Sequence, residues 1–195
     1  HFFNPVEVMK LFELIPGEKT NKEIIDKLSI FLSKVFNKGV VYGKDTVNFI
    51  GNRIGCFFML KGIHEAKKVR NDFSIEQIDA LLSKPIGLPP TGLYGLIDLI
   101  GLDVMHSVGK NLEINLPKKD IGLDYVKLPN EEMEMFLANQ LGRKSGGGFY
   151  RIKKLDTGEK IKESYDLSIK KWSLSNKIFY DKNFDLILED SIEGK

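Results

Sequence analysis

A strand, helix, strand pattern over residues 8–46 constrains this chain more than any other feature. The run Leu11 to Ile15 has strand character, and Thr20-Asn21-Lys22-Glu23 has the spacing of a helix capping box. Ile24, Leu28, Phe31, Leu32 and Val35 then recur at helical intervals. Asn37-Lys38-Gly39 stops that helix, and Val40-Val41-Tyr42 makes a second short strand ending at Gly43. A β-α-β unit belongs to a parallel sheet, and such a sheet needs further strands and cover on both faces. The chain opens inside an apolar strand pattern without a polar lead-in, so it is expected to be a piece of a longer protein.

Downstream the period changes. From Phe49 to about Arg70 there is no proline, and Ile50, Ile54, Phe57, Phe58, Ile63, Ala66 and Val69 give the broad apolar surface of a long helix. Ser74-Ile75-Glu76-Gln77 is a second capping-box pattern opening a short helix through Leu82, ended by the segment Pro85 to Pro90. Thr91 is placed to cap the next helix, Gly92 to Ile100, which breaks at Gly101 before another over Leu102 to Leu112. Asn130, Glu131 and Glu132 start a last helix through Met133, Phe136, Leu137 and Leu141, stopped by Gly142. Residues 47–150 are therefore expected to form a helical domain, residues 1–46 a β-α-β piece, and residues 151–195 a polar tail with a short hairpin.

The charge balance excludes some functions. Lys and Arg number 29 against 27 Asp and Glu, and a net charge of +2 argues against a dedicated nucleic-acid binder. Cys56 is the single cysteine, so there is neither a disulfide framework nor a multi-cysteine metal site, and a reducing compartment is expected. No apolar run reaches the roughly twenty residues of a membrane span. No metal is expected.

The chemistry lies in the first fifteen residues. His1-Phe2-Phe3 and Leu11 to Ile15 are apolar extended runs separated by the turn signal Asn4-Pro5, so the chain can reverse and bring Glu13 beside His1. A histidine titrates near neutral pH, and a carboxylate on its second ring nitrogen fixes the tautomer and stabilises the imidazolium. Taken alone, the pair also fits the last residue of an expression tag and a glutamate facing water.

Other residues are weighed the same way. Gly146-Gly147-Gly148 follow a helix, precede Phe149-Tyr150 and lack the spacing of phosphate-binding loops, so they read as a structural turn. Lys144 in that turn can reach an anionic ligand or simply be solvated. Asn52, with Arg53 at the start of the long helix, can hydrogen-bond into a cleft or serve as a plain capping residue. His64 and His106 lack a metal-ligand partner, and Met105, Met133 and Met135 fit core filling.

Four blocks in order carry a resemblance: His1-Phe2-Phe3-Asn4-Pro5 with Met9-Lys10-Leu11, Asp45-Thr46 to Asn52-Arg53, Gly95 to Asp103, and Leu141 to Tyr150. In these blocks the chain resembles 3-hydroxyacyl-CoA dehydrogenases. The resemblance implies a mainly α fold, with an all-helical C-terminal domain of the 6-phosphogluconate-dehydrogenase-like type after the β-α-β remnant of a Rossmann domain. It implies that His1 is the general base, Glu13 its orienting carboxylate and Asn52 a substrate contact, with Asn4 and Lys144 touching NAD. Glu7 stands in place of a proline common in the family's first motif, and Val47-Asn48 in place of the usual Pro-Gly before the phenylalanine. The glycine fingerprint of dinucleotide binding does not occur in this chain.

The expected parent is thus an NAD-dependent oxidoreductase of fatty-acid β-oxidation, taking an acyl-CoA substrate and pairing as a homodimer through its helices. Its expected location is cytoplasmic, or the mitochondrial matrix or peroxisome in a eukaryote, and the chain alone is expected to be inactive. The competing reading is a non-catalytic helical dimerisation or interaction module of a multifunctional β-oxidation protein, in which His1 has no catalytic consequence.

Overall fold

The computed structural model describes residues 1–175, and the tail positions Phe179 and Phe184 lie outside the described residues. The chain divides into two compact units, His1–Cys56 and Phe57–Lys195.

In the first unit, strand β1 (Leu11–Leu14) pairs in parallel with β2 (Gly39–Tyr42), with Glu13 opposite Val41. Helix α1 (Lys22–Lys34) joins them, as the sequence period requires. Its start differs by one residue from the capping box in the sequence. Asn21 is the cap, accepting the Glu23 N–H at 2.8 Å, while the Thr20 hydroxyl accepts the N–H of Gly17 in the preceding turn. Leu14 and Leu32 are buried, whereas Ile24, Ile30, Phe31, Val35 and Tyr42 stay exposed.

Helix α2 (Gly51–Val69) begins in the first unit and is the long proline-free helix of the sequence. The second unit continues with α3 (Ile75–Leu81), α4 (Gly92–Ile100), α5 (Leu102–Asn115) and α6 (Asn130–Leu137). Its core gathers Ile63, Leu93, Tyr94, Ile97, Leu102 and Phe149, all fully buried, with the Tyr94 and Phe149 rings 4.6 Å apart. Each aliphatic side chain so buried contributes roughly 1.5–3 kcal/mol relative to exposure.

The helix ends show where local signals held. Ser74 and Gln77 close both halves of a capping box on α3. Thr91 is the N-cap residue of α4, yet its side chain makes no cap bond. Asp79 takes that role from fifteen residues away, accepting the N–H groups of Tyr94 and Gly95 at 2.6 and 3.0 Å. A carboxylate satisfies two donors at once and complements the positive end of the helix. Helix α6 stops before Leu141 because Asn139 turns left-handed, with φ of 58°.

The glycine run after α6 is shaped by a second buried aspartate. Asp98 accepts the N–H groups of Phe149 and Tyr150, both at 2.8 Å, and a side chain on Gly148 would collide with its carboxylate. This is the structural turn favoured by the sequence.

Residues read from sequence as a polar tail with a short hairpin carry a three-stranded antiparallel meander, β3 (Tyr150–Lys154), β4 (Lys160–Asp166) and β5 (Lys171–Leu174). It is held by cross-strand pairs of long polar side chains on rings. Arg151 stacks over Trp172 at 4.2 Å while its Nε donates to Glu163, and Lys162 lies over Tyr150 at 3.9 Å.

Candidate active site

The first apolar run folds back on β1. The backbones of His1 and Glu13 exchange two hydrogen bonds, at 2.7 and 2.8 Å, and Phe2 pairs antiparallel with Phe12. The reversal runs through Asn4-Pro5, whose peptide bond is cis. Directly opposed residues of an antiparallel pair project from the same face, so His1 and Glu13 meet side by side.

Their side chains form a tight pair. Nδ1 of His1 lies 2.5 Å from Oε2 of Glu13, and the carboxylate is fully buried while the imidazole is 25% exposed. The other oxygen, Oε1, accepts the backbone N–H groups of Ile50 and Gly51 at 3.0 and 2.7 Å. Ile50 directly precedes α2 and Gly51 is its first residue, so the carboxylate is held between the imidazole and a helix N-terminus.

Two conformational features set this up. Asn48 and Phe49 both adopt left-handed backbone, with φ of 61° and 51°, immediately before the two donating amides. Gly51 admits no side chain, because a Cβ there would meet the Phe3 ring at 2.7 Å and Leu11 at 3.3 Å. Phe3 packs edge-on to the His1 ring at 4.9 Å, and Phe49 is 5.4 Å away on a tilted plane.

With Nδ1–H donated to Glu13, Nε2 keeps its lone pair for a proton. Nδ2 of Asn52, on the first turn of α2, lies 3.4 Å from that nitrogen. The order Glu13, His1, Asn52 puts a fixed anion behind a base and an amide in front of it.

Of the residues named from sequence, the structure brings His1, Glu13 and Asn52 together. Asn4 is exposed in the turn that follows the His1 strand. Lys144 belongs to the second unit, where its ammonium pairs with Asp103 at 2.5 Å and remains 44% exposed. His64 bonds the carbonyl of Lys127 at 2.8 Å and His106 stacks on Phe136, so both are packing residues. No cluster able to hold a metal occurs among the described residues.

Sequence reasoning gave no role to Phe3, Phe49 or the helix amides on Glu13, and named Asn48 only as a departure from the family's usual glycine. The signal for Asn48 was its place as a turn-forming residue directly ahead of the aromatic that opens the long helical run. Two other perturbed groups, Asp79 and Asp98, belong to the second unit and carry structure: burial pushes each up to about 6, against the pull of the N–H groups they accept. Burial likewise raises the Cys56 thiol.

The chain is similar to known proteins. Residues 49–152 match the family model for the 3-hydroxyacyl-CoA dehydrogenase C-terminal domain, and residues 1–46 match the model for the NAD-binding domain of the same enzymes. The whole chain is 38% identical to part of a Rickettsia prowazekii protein carried under the name fatty acid oxidation complex trifunctional enzyme, and spans 27% of that protein's length. A 3-hydroxyacyl-CoA dehydrogenase of Bacillus subtilis is 33% identical over 77% of the chain, which spans 19% of it. Among solved structures, (S)-3-hydroxybutyryl-CoA dehydrogenase from Ralstonia eutropha is 33% identical with a TM-score of 0.61, covering 76% of the chain and 49% of its own.

Proposed function

The chain belongs to the 3-hydroxyacyl-CoA dehydrogenase family, and on that premise we propose that its parent protein oxidises the 3-hydroxyl of an acyl-CoA to a ketone in fatty-acid β-oxidation, with His1 as the base. The observation that carries this reading is the line Glu13, His1, Asn52, with a buried carboxylate 2.5 Å behind the ring and an amide 3.4 Å ahead of it.

In this mechanism the substrate hydroxyl gives its proton to Nε2 of His1 as the hydride leaves the carbon that bears it. Glu13 holds Nδ1–H and offsets the charge that the ring gains. Asn52 donates an amide hydrogen bond to the oxygen as it becomes a carbonyl. Phe3 and Phe49 line the ring and keep water from its flanks.

NAD, when bound, supplies the hydride acceptor. Asn4, an exposed amide in the turn after the base, and Lys144, a half-exposed ammonium that pairs with Asp103 in the second unit, each have, in this reading, the chemistry to donate to ribose hydroxyls or phosphate oxygens of NAD. In this reading residues 1–46 are the end of the NAD-binding domain, residues 47–150 the helical domain, and residues 151–195 an appended polar segment. The parent acts in the cytoplasm as a homodimer joined through its helices, supported by the exposed Leu99, Ile114 and Leu137. No helix among the described residues is long and apolar enough to cross a membrane.

The test is His1→Gln in the full-length protein. Turnover of acetoacetyl-CoA with NADH is expected to fall about 10²-fold or more while NADH binding is retained. Unchanged turnover would overturn the base role and favour a non-catalytic module.

A further inference from the structure

We propose that Asn48 is a positioning residue of this active site: its left-handed backbone holds the start of α2 where the Ile50 and Gly51 amides clamp the far oxygen of Glu13, and so fixes how His1 presents Nε2. The inference rests on the reading of His1 as the base.

A carboxylate partner orients an imidazole only if it is itself held. Glu13 is fully buried, one oxygen engaged by His1 and the other by the amides at 3.0 and 2.7 Å. Ile50 directly precedes α2 and Gly51 is its first residue, so the direction of both donors depends on the backbone just before them. That backbone is unusual. Asn48 and Phe49 sit in succession at φ of 61° and 51°, a region that side-chain-bearing residues seldom adopt, asparagine more readily than most.

The Nδ2 of Asn48 is buried without a hydrogen-bond partner, so no bond from that amide N–H holds the turn. The contribution assigned to Asn48 is that of its left-handed main chain, which Asn48→Gly separates from that of its side-chain amide. Phe49 is fixed for a second reason, since its ring lies 5.4 Å from that of His1. An uncommon conformation and a double clamp on the catalytic pair fall on four consecutive residues, Asn48 to Gly51. Rare backbone states persist where surrounding structure over-determines them, and here the over-determining groups are Glu13, Phe3 and His1.

An extended Asn48 would swing the two amides off Oε1. The buried oxygen would then lack donors, and the carboxylate would rotate away from Nδ1 to find others. The base would be present but loosely aimed, which lowers the rate of the chemical step more than it weakens binding.

The experiment compares Asn48→Gly, Asn48→Ala and Asn48→Val in the full-length protein, with His1→Gln as the control. Acetoacetyl-CoA and NADH are the substrates, and rates are normalised to the folded fraction from circular dichroism. Glycine reaches the left-handed region freely and carries no amide, so Asn48→Gly is expected to keep kcat within about twofold. Asn48→Ala is expected to lose about tenfold in kcat and Asn48→Val more, with KM for both substrates nearly unchanged. If the valine variant fails to fold, the glycine and alanine pair decides the matter. A glycine variant as slow as alanine would assign the role to the side-chain amide and overturn the proposal, as would an alanine variant as fast as the parent. A fully active His1→Gln would overturn the base reading instead.

Discussion

The phenol of Tyr150 donates a 2.8 Å hydrogen bond to the buried carboxylate of Asp79, a residue 71 positions earlier in the chain. The same Asp79 caps α4 through Tyr94 and Gly95, so one carboxylate ties the meander to the helical core of the second unit. Tyr150→Phe leaves that oxygen with the Gly95 amide as its one remaining donor. The expected cost is about 1–2 kcal/mol, read as a lower urea midpoint with an unchanged slope. An unshifted midpoint would mean that the phenol is dispensable.

Burial sets up a stability change on the alkaline side of pH 4. Asp79 and Asp98 rise from 3.8 to about 6, so the folded protein holds their protons more tightly than the unfolded chain. Their contribution is complete below pH 3.8 and is lost as pH rises through about 6. Glu131 runs the other way. Burial works to raise it, but the Lys67 and Arg70 cations bring it from 4.5 down to about 2, so its contribution is present above pH 4.5 and is lost as pH falls toward 2. From these three groups the melting temperature is expected to peak at about pH 4 and to fall on both sides, with Glu131→Gln flattening the acid side. A curve still rising from pH 5 to 7 would contradict the assignment of the two aspartates.

Glu13→Gln separates charge from shape at the dyad. The amide oxygen can still accept from Ile50 and Gly51, while the NH₂ group faces His1 Nδ1 and favours the tautomer with its proton on Nε2. A base protonated at Nε2 cannot take the substrate proton. The expected loss in kcat is about 10²-fold or more, with a change in melting temperature of only a few degrees. Activity within a factor of two of the parent would show that the carboxylate is a packing group.

Much of this was legible from residue spacing. The β-α-β pattern, the long helix from α2 onward and the capping box at Ser74 all depend on neighbours within a few positions, which is what sequence periodicity records. The dyad was legible because Asn4-Pro5 announces a reversal between two apolar runs. Asp79 and Asp98 were not, since each acts on amides that are 15 or more residues away and nothing local marks a buried carboxylate as a cap. The meander was missed for a related reason. Its strands, YRIKK, KIKESYD and KWSL, expose much of both faces, and their cohesion comes from cations over rings, so no apolar alternation appears. The shift of the α1 cap from Thr20 to Asn21 is a choice between adjacent capping residues that only the preceding turn decides.

Glu13 carries two obligations on one side chain, as counter-charge to the imidazole and as the cap of α2. A descendant that abandoned the reaction would still need an acceptor at position 13, glutamate or glutamine, to begin that helix. The mere presence of that glutamate in a silent paralogue is poor testimony of activity, and the diagnostic loss is at position 1.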